Sequence, residues 1–252
     1  MRNLKLVLAY DGSDFSGWQV QPDVATVQGT LASAIGRLTG EKVLPQGSGR
    51  TDAGVHALAQ VATFMTESVI PAVNLVAALN DILPAAIRVI EASEVPNEFH
   101  ARKSARAKTY RYRIFRGAIC SPFLARYVWH YPFPLDERAM QEAAQRILGE
   151  HDFTSFAAVD PERGQENGEI SNIRSVFASH WERSGEELVY RIEGNGFLHH
   201  MVRNLVGTFI LAGKGTIKPD AVTDILEARS RSAAGATAPA SGLYLVSVKY
   251  EC

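Results

Sequence analysis

The segment Gly47-Ser-Gly-Arg-Thr-Asp-Ala-Gly-Val-His-Ala57 places three glycines, one arginine, one aspartate and one histidine within eleven residues. Apolar stretches typical of β-strands flank it, Lys42-Val-Leu44 before it and residues 58–65 after it. Glycine allows the backbone to turn at positive φ and to approach a ligand closely. The pattern therefore predicts a tight loop between two strands, where Asp52 stands at a position that scaffolds commonly use for reactive groups.

Two interpretations of Asp52 follow from these residues alone. The carboxylate is either a turn residue that bonds its own backbone, or a reactive group that the nearby charge of Arg50 keeps ionised. Phosphate-binding motifs do not fit the glycines, because a P-loop requires a lysine after them. Gly194-Asn-Gly196 likewise lacks the third glycine of a dinucleotide-binding fingerprint.

The composition of the 252 residues is that of a globular protein, with 46% apolar residues, and the length suits one large domain or two smaller ones. No apolar run reaches the roughly 18 residues that span a bilayer, and no charged leader precedes the first apolar stretch. We therefore expect a cytoplasmic protein that is not embedded in a membrane. Only Cys120 and Cys252 are present, which predicts neither a disulfide framework nor a cysteine zinc site.

The net charge of −1 hides a strongly basic segment between Glu98 and Arg116. Basic residues neutralise phosphates and aromatic rings stack on exposed bases, so this mixture is typical of RNA binding. A solvated strand face with aromatic residues turned to a core is the alternative. The basic residues are Arg102, Lys103, Arg106, Lys108, Arg111, Arg113 and Arg116, and the aromatic ones are Phe99, Tyr110, Tyr112 and Phe115.

Hydrophobic periodicity predicts the order β-α-β-β-α-β twice, which is the ferredoxin-like arrangement. We expect an α+β fold with an N-terminal half, residues 1–104, that carries the aspartate loop and a C-terminal half, residues 105–252. The expected strands are 4–10, one near Val43, 57–66, 87–95, 108–116, 172–183, 187–193 and 243–250; the expected helices are 27–38, one opened by Pro71, 135–150, 197–213 and 219–229.

The string Gly49-Arg-Thr-Asp-Ala-Gly-Val-His-Ala57 resembles the catalytic signature of the tRNA pseudouridine synthase A family, whose aspartate falls on Asp52. The pattern Y-D-G-x-x-F-x-G-W-Q, from Tyr10 to Gln19, is similar to the opening of the same family. The resemblance implies two ferredoxin-like (RRM-like) halves joined in a continuous, mainly antiparallel sheet, with helices on one side and an RNA-binding cleft between the halves. It also implies a catalytic role for Asp52.

The resemblance extends to four further segments. The family's active-site tyrosine lies in Lys108-Thr-Tyr-Arg-Tyr-Arg113 and implies Tyr110, while Tyr112 remains structural. Its aspartate-binding arginine implies Arg203, within Phe197-Leu-His-His-Met-Val-Arg-Asn204, and Arg50 is then left to contact RNA. The remaining expected RNA contacts are Leu243 on the target base and, from a family-like segment and the basic residues after it, Phe99, Arg102, Lys103 and Arg106.

Each of these residues also has an ordinary structural interpretation. A tyrosine on a strand face is more often a core residue than a catalytic one. An arginine beside an apolar helix stripe usually extends to solvent, and Leu243 is equally suited to a buried strand.

The resemblance implies isomerisation of uridine to pseudouridine at positions 38, 39 and 40 of tRNA by a homodimer, with no cofactor. The adjacent His199 and His200 lack further ligands at suitable spacing, so we expect no metal site. Whether Asp52 attacks the ribose or the base, or abstracts a ribose proton, is open at this level. A non-catalytic RNA-binding protein would carry an aromatic recognition strand that is missing here, and an aspartyl hydrolase would need a carboxylate cluster for magnesium.

Overall fold

A computed structural model describes residues 1–159 and 171–250. The chain forms two compact units, the first from Met1–Lys108 and the chain from Tyr244 onward, the second from Thr109–Leu243. This differs from the expected division into 1–104 and 105–252 because the end of the chain returns to the first unit. The polar segment 160–170, to which the sequence assigned no role, lies outside the described residues.

The first unit contains a sheet in the order β4-β1-β3-β10 and two helices. Strand β1 pairs antiparallel with β3 and β4, the short β2 pairs antiparallel with β3, and β10 pairs parallel with β3. The elements are β1 (Arg2–Tyr10), α1 (Val27–Thr39), β2 (Gln46–Gly47), β3 (His56–Thr66), α2 (Ala72–Ile82), β4 (Ile87–Val95) and β10 (Leu243–Tyr250).

The first unit follows its sequence pattern closely. Leu4, Leu6 and Leu8 alternate along β1 and are completely buried, as expected for a strand with one face in a core. Helix α1 begins where the Thr26 side chain accepts a hydrogen bond from the Gly29 N–H. It ends at Gly40, whose φ of 77° is the left-handed conformation of a helix C-cap.

The second unit has the strand order β5-β9-β8-β7. Strands β7, β8 and β9 are antiparallel neighbours, and β6 runs parallel to the end of β5. Trp181, Tyr190 and Phe209 pack their rings together between the sheet and α5. The elements are β5 (Ala105–Phe115, which starts in the first unit), α3 (Pro122–Ala125), β6 (Trp129–His130), α4 (Glu137–Gln145), β7 (Gly149–Asp152), β8 (Ile173–Ser184), β9 (Glu187–Gly194), α5 (Met201–Gly213) and α6 (Ala221–Ala228).

Three sequence predictions of secondary structure were wrong in place or length. Residues 42–44 are not a strand; the strand before the aspartate loop is the two-residue β2. The helix predicted over 135–150 stops at Gln145, and its last residues form a turn and β7, since Gly149 has a φ of 94° that a helix cannot continue. The helix predicted from residue 197 begins at Met201, after His200 in the left-handed region.

The prediction of an α+β fold built on a mainly antiparallel sheet is confirmed. Among the described residues, no helix has both the length and the apolar character that crossing a membrane requires.

Candidate active site

The predicted loop is present between β2 and β3, and its residues differ in burial. Ser48 and Thr51 are 0% and 6% exposed, whereas Arg50 is exposed and Asp52 is half-buried. The Val55 N–H donates to the Asp52 carbonyl at 3.1 Å, which closes a turn around the aspartate. Ser48 and Thr51 therefore anchor the loop in the protein interior, while the two charged residues keep exposed surface.

The segment from Tyr10 to Trp18 holds the loop from one side. The Trp18 N–H donates to the Thr51 carbonyl at 3.0 Å, and the Gly54 N–H donates to the Phe15 carbonyl at 3.3 Å. The Tyr10 hydroxyl and Thr51 Oγ1 are 2.8 Å apart and share a buried hydrogen bond. Burial raises the pKa of Tyr10 to about 12, so the phenol stays protonated.

Two glycines of this segment are required by close approach to the loop backbone. A Cβ on Gly12 would lie 1.9 Å from the Val55 carbonyl oxygen. Gly17 has a φ of 90°, and a Cβ there would lie 2.7 Å from the Thr51 carbonyl oxygen. The pattern Y-D-G-x-x-F-x-G-W-Q therefore describes a cradle for the aspartate loop, which the sequence alone did not reveal.

His56 directly follows the loop and is a buried residue that contacts two other segments. Sequence reasoning did not single it out. Its ring is 2% exposed and stacks on Tyr244 with the centroids 4.7 Å apart. Its Nδ1 accepts from the Gly12 N–H at 3.1 Å and lies 3.2 Å from Asp11 Oδ1. The histidine thus ties the cradle segment to the start of β3.

The other side of the loop is held by polar side chains. The Ser48 N–H donates to the Val61 carbonyl at 2.7 Å, and Ser48 Oγ donates to Gln60 Oε1 at 2.6 Å. Gln60, which is completely buried, donates through Nε2 to the Gly49 carbonyl at 2.9 Å. Lys108, from β5, donates through Nζ to the Ser48 carbonyl at 2.6 Å.

The first part of the basic segment is a turn at residues 101–104 followed by the start of β5, and it carries exposed cations. Arg102, Lys103 and Arg106 are exposed. The Arg102 N–H donates to His100 Nδ1 at 3.1 Å. Partial burial, and then the charge of Lys103, lowers the pKa of His100, which favours the neutral ring that accepts this bond. The Phe99 ring packs tilted against Tyr250 at 4.9 Å.

The later part of the basic segment serves the second unit's own structure. Arg113 makes a two-pronged ion pair with Glu187, with nitrogen–oxygen distances of 2.5 and 2.7 Å. Arg116 donates to the carbonyls of Tyr131 and Phe133. Six of the seven basic residues therefore divide into two groups: Arg102, Lys103 and Arg106 are exposed, whereas Lys108, Arg113 and Arg116 bind neighbouring backbone or side chains.

In the second unit, Tyr110 and Tyr112 share a strand but differ in their surroundings. Tyr110 is 7% exposed and meets the Phe197 ring edge-on at 5.0 Å. Tyr112 is completely buried and donates its hydroxyl to the Pro239 carbonyl at 2.7 Å. Burial raises the pKa of Tyr112 far above its usual range, although the charge of Arg203 opposes the shift.

Arg203 and Tyr112 both bind the segment of chain that leads to Leu243. Arg203 donates through Nε to the Ala238 carbonyl at 2.7 Å, and its own carbonyl accepts from the Ala238 N–H at 3.1 Å. A Cβ on Gly242 would lie 2.7 Å from the Tyr112 ring, so this glycine permits the close approach. Leu243 follows it and is 6% exposed.

Comparison with known proteins matches this arrangement to one family. A model of tRNA pseudouridine synthases matches residues 6–102 and 143–251, a range that includes Asp52 and Arg203. The chain belongs to the tRNA pseudouridine synthase family. The predicted enzyme class, an RNA-modifying isomerase, is thereby confirmed over the two rival interpretations, a non-catalytic RNA binder and an aspartyl hydrolase.

The relatives of this synthase are similar over their whole length. The tRNA pseudouridine synthase A of Solibacter usitatus is 53% identical over 99% of this chain and 100% of the relative. Those of Moorella thermoacetica and Thermoanaerobacter sp. (strain X514) are 47% and 44% identical, over 98% and 99% of this chain and 99% and 100% of the relatives.

The geometry of the synthase suits covalent chemistry at a carboxylate. Within the first unit, Asp52 and Arg50 share one loop whose backbone is fixed from both sides. A fixed loop backbone reduces the entropy that is lost when a substrate is aligned with a group on that loop. In the second unit, neighbouring carbonyls hold Arg203 and Tyr112, which gives Arg203 a defined orientation.

Proposed function

We propose that this synthase isomerises uridines 38, 39 and 40 in the anticodon arm of tRNA, with Asp52 as the nucleophile. The N1–C1′ bond breaks, the uracil turns, and C5 forms a new bond to C1′; the bond that Asp52 forms with the nucleotide breaks again, which frees the carboxylate. The hydrogen on C5 leaves as a proton and N1 gains a proton, so the product is an isomer of the substrate. No cofactor takes part in this scheme.

One observation carries the assignment of Asp52. The loop backbone on both sides of this residue is bonded to other segments, through the Trp18 N–H, the Phe15 carbonyl and the Gln60 side chain, and Tyr10 bonds the Thr51 hydroxyl. Asp52 itself is half-buried. Such pre-organisation supports a reacting group, because a misplaced nucleophile loses much of its advantage over a group in solution.

Other residues complete the proposed site. Arg203 forms a salt bridge with Asp52 and fixes the rotamer of the carboxylate. Tyr110 stacks on the uracil after it leaves the RNA helix, with its hydroxyl available for proton transfer. Leu243 packs on the target base, and Arg50 contacts the RNA and helps to displace that base.

The exposed residues Arg102, Lys103 and Arg106 bind tRNA phosphates, with Phe99 beside them in the RNA path. Family resemblance supports a homodimer in which one tRNA contacts both subunits, and a cytoplasmic location. Sedimentation at micromolar concentration tests the dimer, since a fully active monomer would contradict it.

Tritium release from uridine labelled at C5 in a tRNA transcript tests the central proposal. That hydrogen is lost when C5 becomes the glycosidic carbon. Asp52→Asn keeps the size of the side chain but cannot act as a nucleophile, so we expect single-turnover release to slow at least about 10³-fold. Asp23→Asn, the same change at an exposed residue of the first unit, is the control and keeps the wild-type rate.

The melting temperature and tRNA affinity of Asp52→Asn are measured beside the rate, to separate lost chemistry from lost folding. A folded, tRNA-binding Asp52→Asn protein with a near wild-type rate would falsify the proposed role. Transcripts that carry the label only at position 38, 39 or 40 test the substrate positions separately. Release from none of the three places the target uridine elsewhere in the tRNA.

A further inference from the structure

The two carbonyls that precede Arg50 are each held by a side chain from another segment. The Ser48 carbonyl accepts from Lys108 Nζ at 2.6 Å, and the Gly49 carbonyl accepts from Gln60 Nε2 at 2.9 Å. Strand β2 ends at Gly47, so both carbonyls lie beyond the β2–β3 pairing. Buried backbone acceptors outside a sheet need partners of this kind.

The Lys108 side chain lies close to Gly49 of the loop as well as to the Ser48 carbonyl. A Cβ on Gly49 would lie only 3.1 Å from Lys108 Nζ. That distance is tighter than most contacts that a Cβ makes, so glycine at this position leaves room for the ammonium group. The position of the Lys108 ammonium group therefore depends on glycine at position 49, although Lys108 belongs to β5 and Gly49 follows β2.

The bond between Lys108 and Ser48 is of a strong type. A charged donor makes a shorter and stronger hydrogen bond than a neutral one. A charged donor at this carbonyl restrains the rotation of the peptide plane between Ser48 and Gly49, just before the two charged loop residues.

We infer that Lys108 is a positioning residue for the reaction: it holds the Ser48–Gly49 peptide so that Arg50 and Asp52 keep their reactive geometry. It acts through the loop backbone and does not touch the reacting atoms. The inference rests on the proposed role of Asp52.

Lys108→Met tests the inference, because methionine retains most of the apolar stem and removes the donor. We expect single-turnover tritium release at saturating enzyme to fall about 10- to 100-fold, since a displacement of about 1 Å at a reacting group has effects of that size. The affinity for tRNA stays within about twofold, and the salt dependence of binding is unchanged. Lys42→Met, at an exposed lysine of the same unit, is the matched control and retains the wild-type rate.

Two outcomes of this experiment overturn the inference. An unchanged rate in Lys108→Met shows that the bond to Ser48 has no bearing on the chemistry. Weaker tRNA binding with a smaller salt dependence, at an unchanged saturated rate, shows that Lys108 contacts RNA phosphate instead. Asp52→Asn is measured in parallel: an active Asp52→Asn protein refutes the proposed function, whereas an inactive one beside a fully active Lys108→Met refutes only the positioning role.

Gly49→Ala provides a second measurement if Lys108→Met folds poorly. The added methyl group displaces the ammonium by a few tenths of an ångström, so we expect a modest fall in the saturated rate of the otherwise unchanged enzyme. Lys108→Arg and Lys108→Met alter the group that the methyl meets, so the effect of Gly49→Ala must differ in those backgrounds. Equal effects of Gly49→Ala with each residue at position 108 contradict the inference.

Discussion

Tyr110 and Tyr112 lie two residues apart on β5 and illustrate how surroundings separate chemically identical side chains. Tyr112 has a fixed partner, the Pro239 carbonyl, and no exposed surface. Tyr110 retains a small exposed fraction and contacts Phe197 by its ring edge. The Tyr112 phenol, with its raised pKa and its bond to a backbone carbonyl, is suited to holding the fold, whereas Tyr110 is the residue proposed to act on the uracil.

Tyr110→Phe keeps the ring and its contact with Phe197 but removes the hydroxyl. We expect tRNA affinity to persist and turnover to fall by about 10²-fold or more, the size of a lost proton-transfer group. Tyr112→Phe leaves the Pro239 carbonyl without its donor and lowers the free energy of unfolding by about 1–3 kcal/mol, with little change in turnover. Single-turnover kinetics and urea unfolding of both variants test this prediction. It is contradicted if both variants keep the wild-type rate and the wild-type free energy of unfolding.

Tyr10 gives a prediction about alkaline stability. Burial raises its pKa from 10.0 to about 12, so the folded state favours the protonated phenol. This contribution is complete below about pH 10 and is lost as the pH rises to about 12, a difference of about 3 kcal/mol. Urea unfolding across this pH range should show that the free energy of unfolding falls more steeply for the wild type than for Tyr10→Phe. Equal slopes against pH for the two proteins would exclude the effect.

At the scale of elements, the aspartate loop depends on segments that are distant in sequence. The cradle from Tyr10 to Trp18 binds it through backbone amides and one phenol, and β3 and β5 contribute Gln60 and Lys108. The loop is therefore a product of several elements, and its own glycines explain only part of its shape.

Gly12→Ala tests the cradle, because the new methyl group would meet the Val55 carbonyl at 1.9 Å and only backbone movement could relieve the clash. We expect a loss of about 1–3 kcal/mol in the free energy of unfolding and slower tritium release. Gly196→Ala is the control, since its Cβ would lie at an ordinary 3.5 Å from Arg174. Similar stability and rates for both variants would show that the cradle tolerates displacement.

At the scale of the whole molecule, charge distribution matters more than the net charge of −1. Arg102, Lys103 and Arg106 are exposed, whereas Arg113 and Arg116 bind groups of the second unit. Exposed cations are the ones that displace counterions from RNA, so the first group is the better candidate for substrate binding.

Changing Arg102, Lys103 and Arg106 to alanine should weaken tRNA binding and flatten its salt dependence. The slope of log affinity against log salt is expected to fall by up to about 0.9 for each lost phosphate contact on duplex-like RNA. The matched control removes the same number of charges at the exposed residues Arg138, Lys214 and Lys218 and leaves the slope unchanged. Equal slopes for both triple variants place the RNA on another surface.

The sequence by itself determined the family, the order of most elements and the loop that carries Asp52, because these depend on local periodicity, turn residues and contiguous motifs. It misplaced residues 42–44 as a strand and extended a helix to residue 150, since apolar composition does not fix where pairing begins or where a glycine adopts positive φ. Only the tertiary structure decided that Gly12 must be a glycine and that Lys108 binds the Ser48 carbonyl. The reason is physical: each depends on a backbone group more than 40 residues away in sequence, and no local pattern records such a distance.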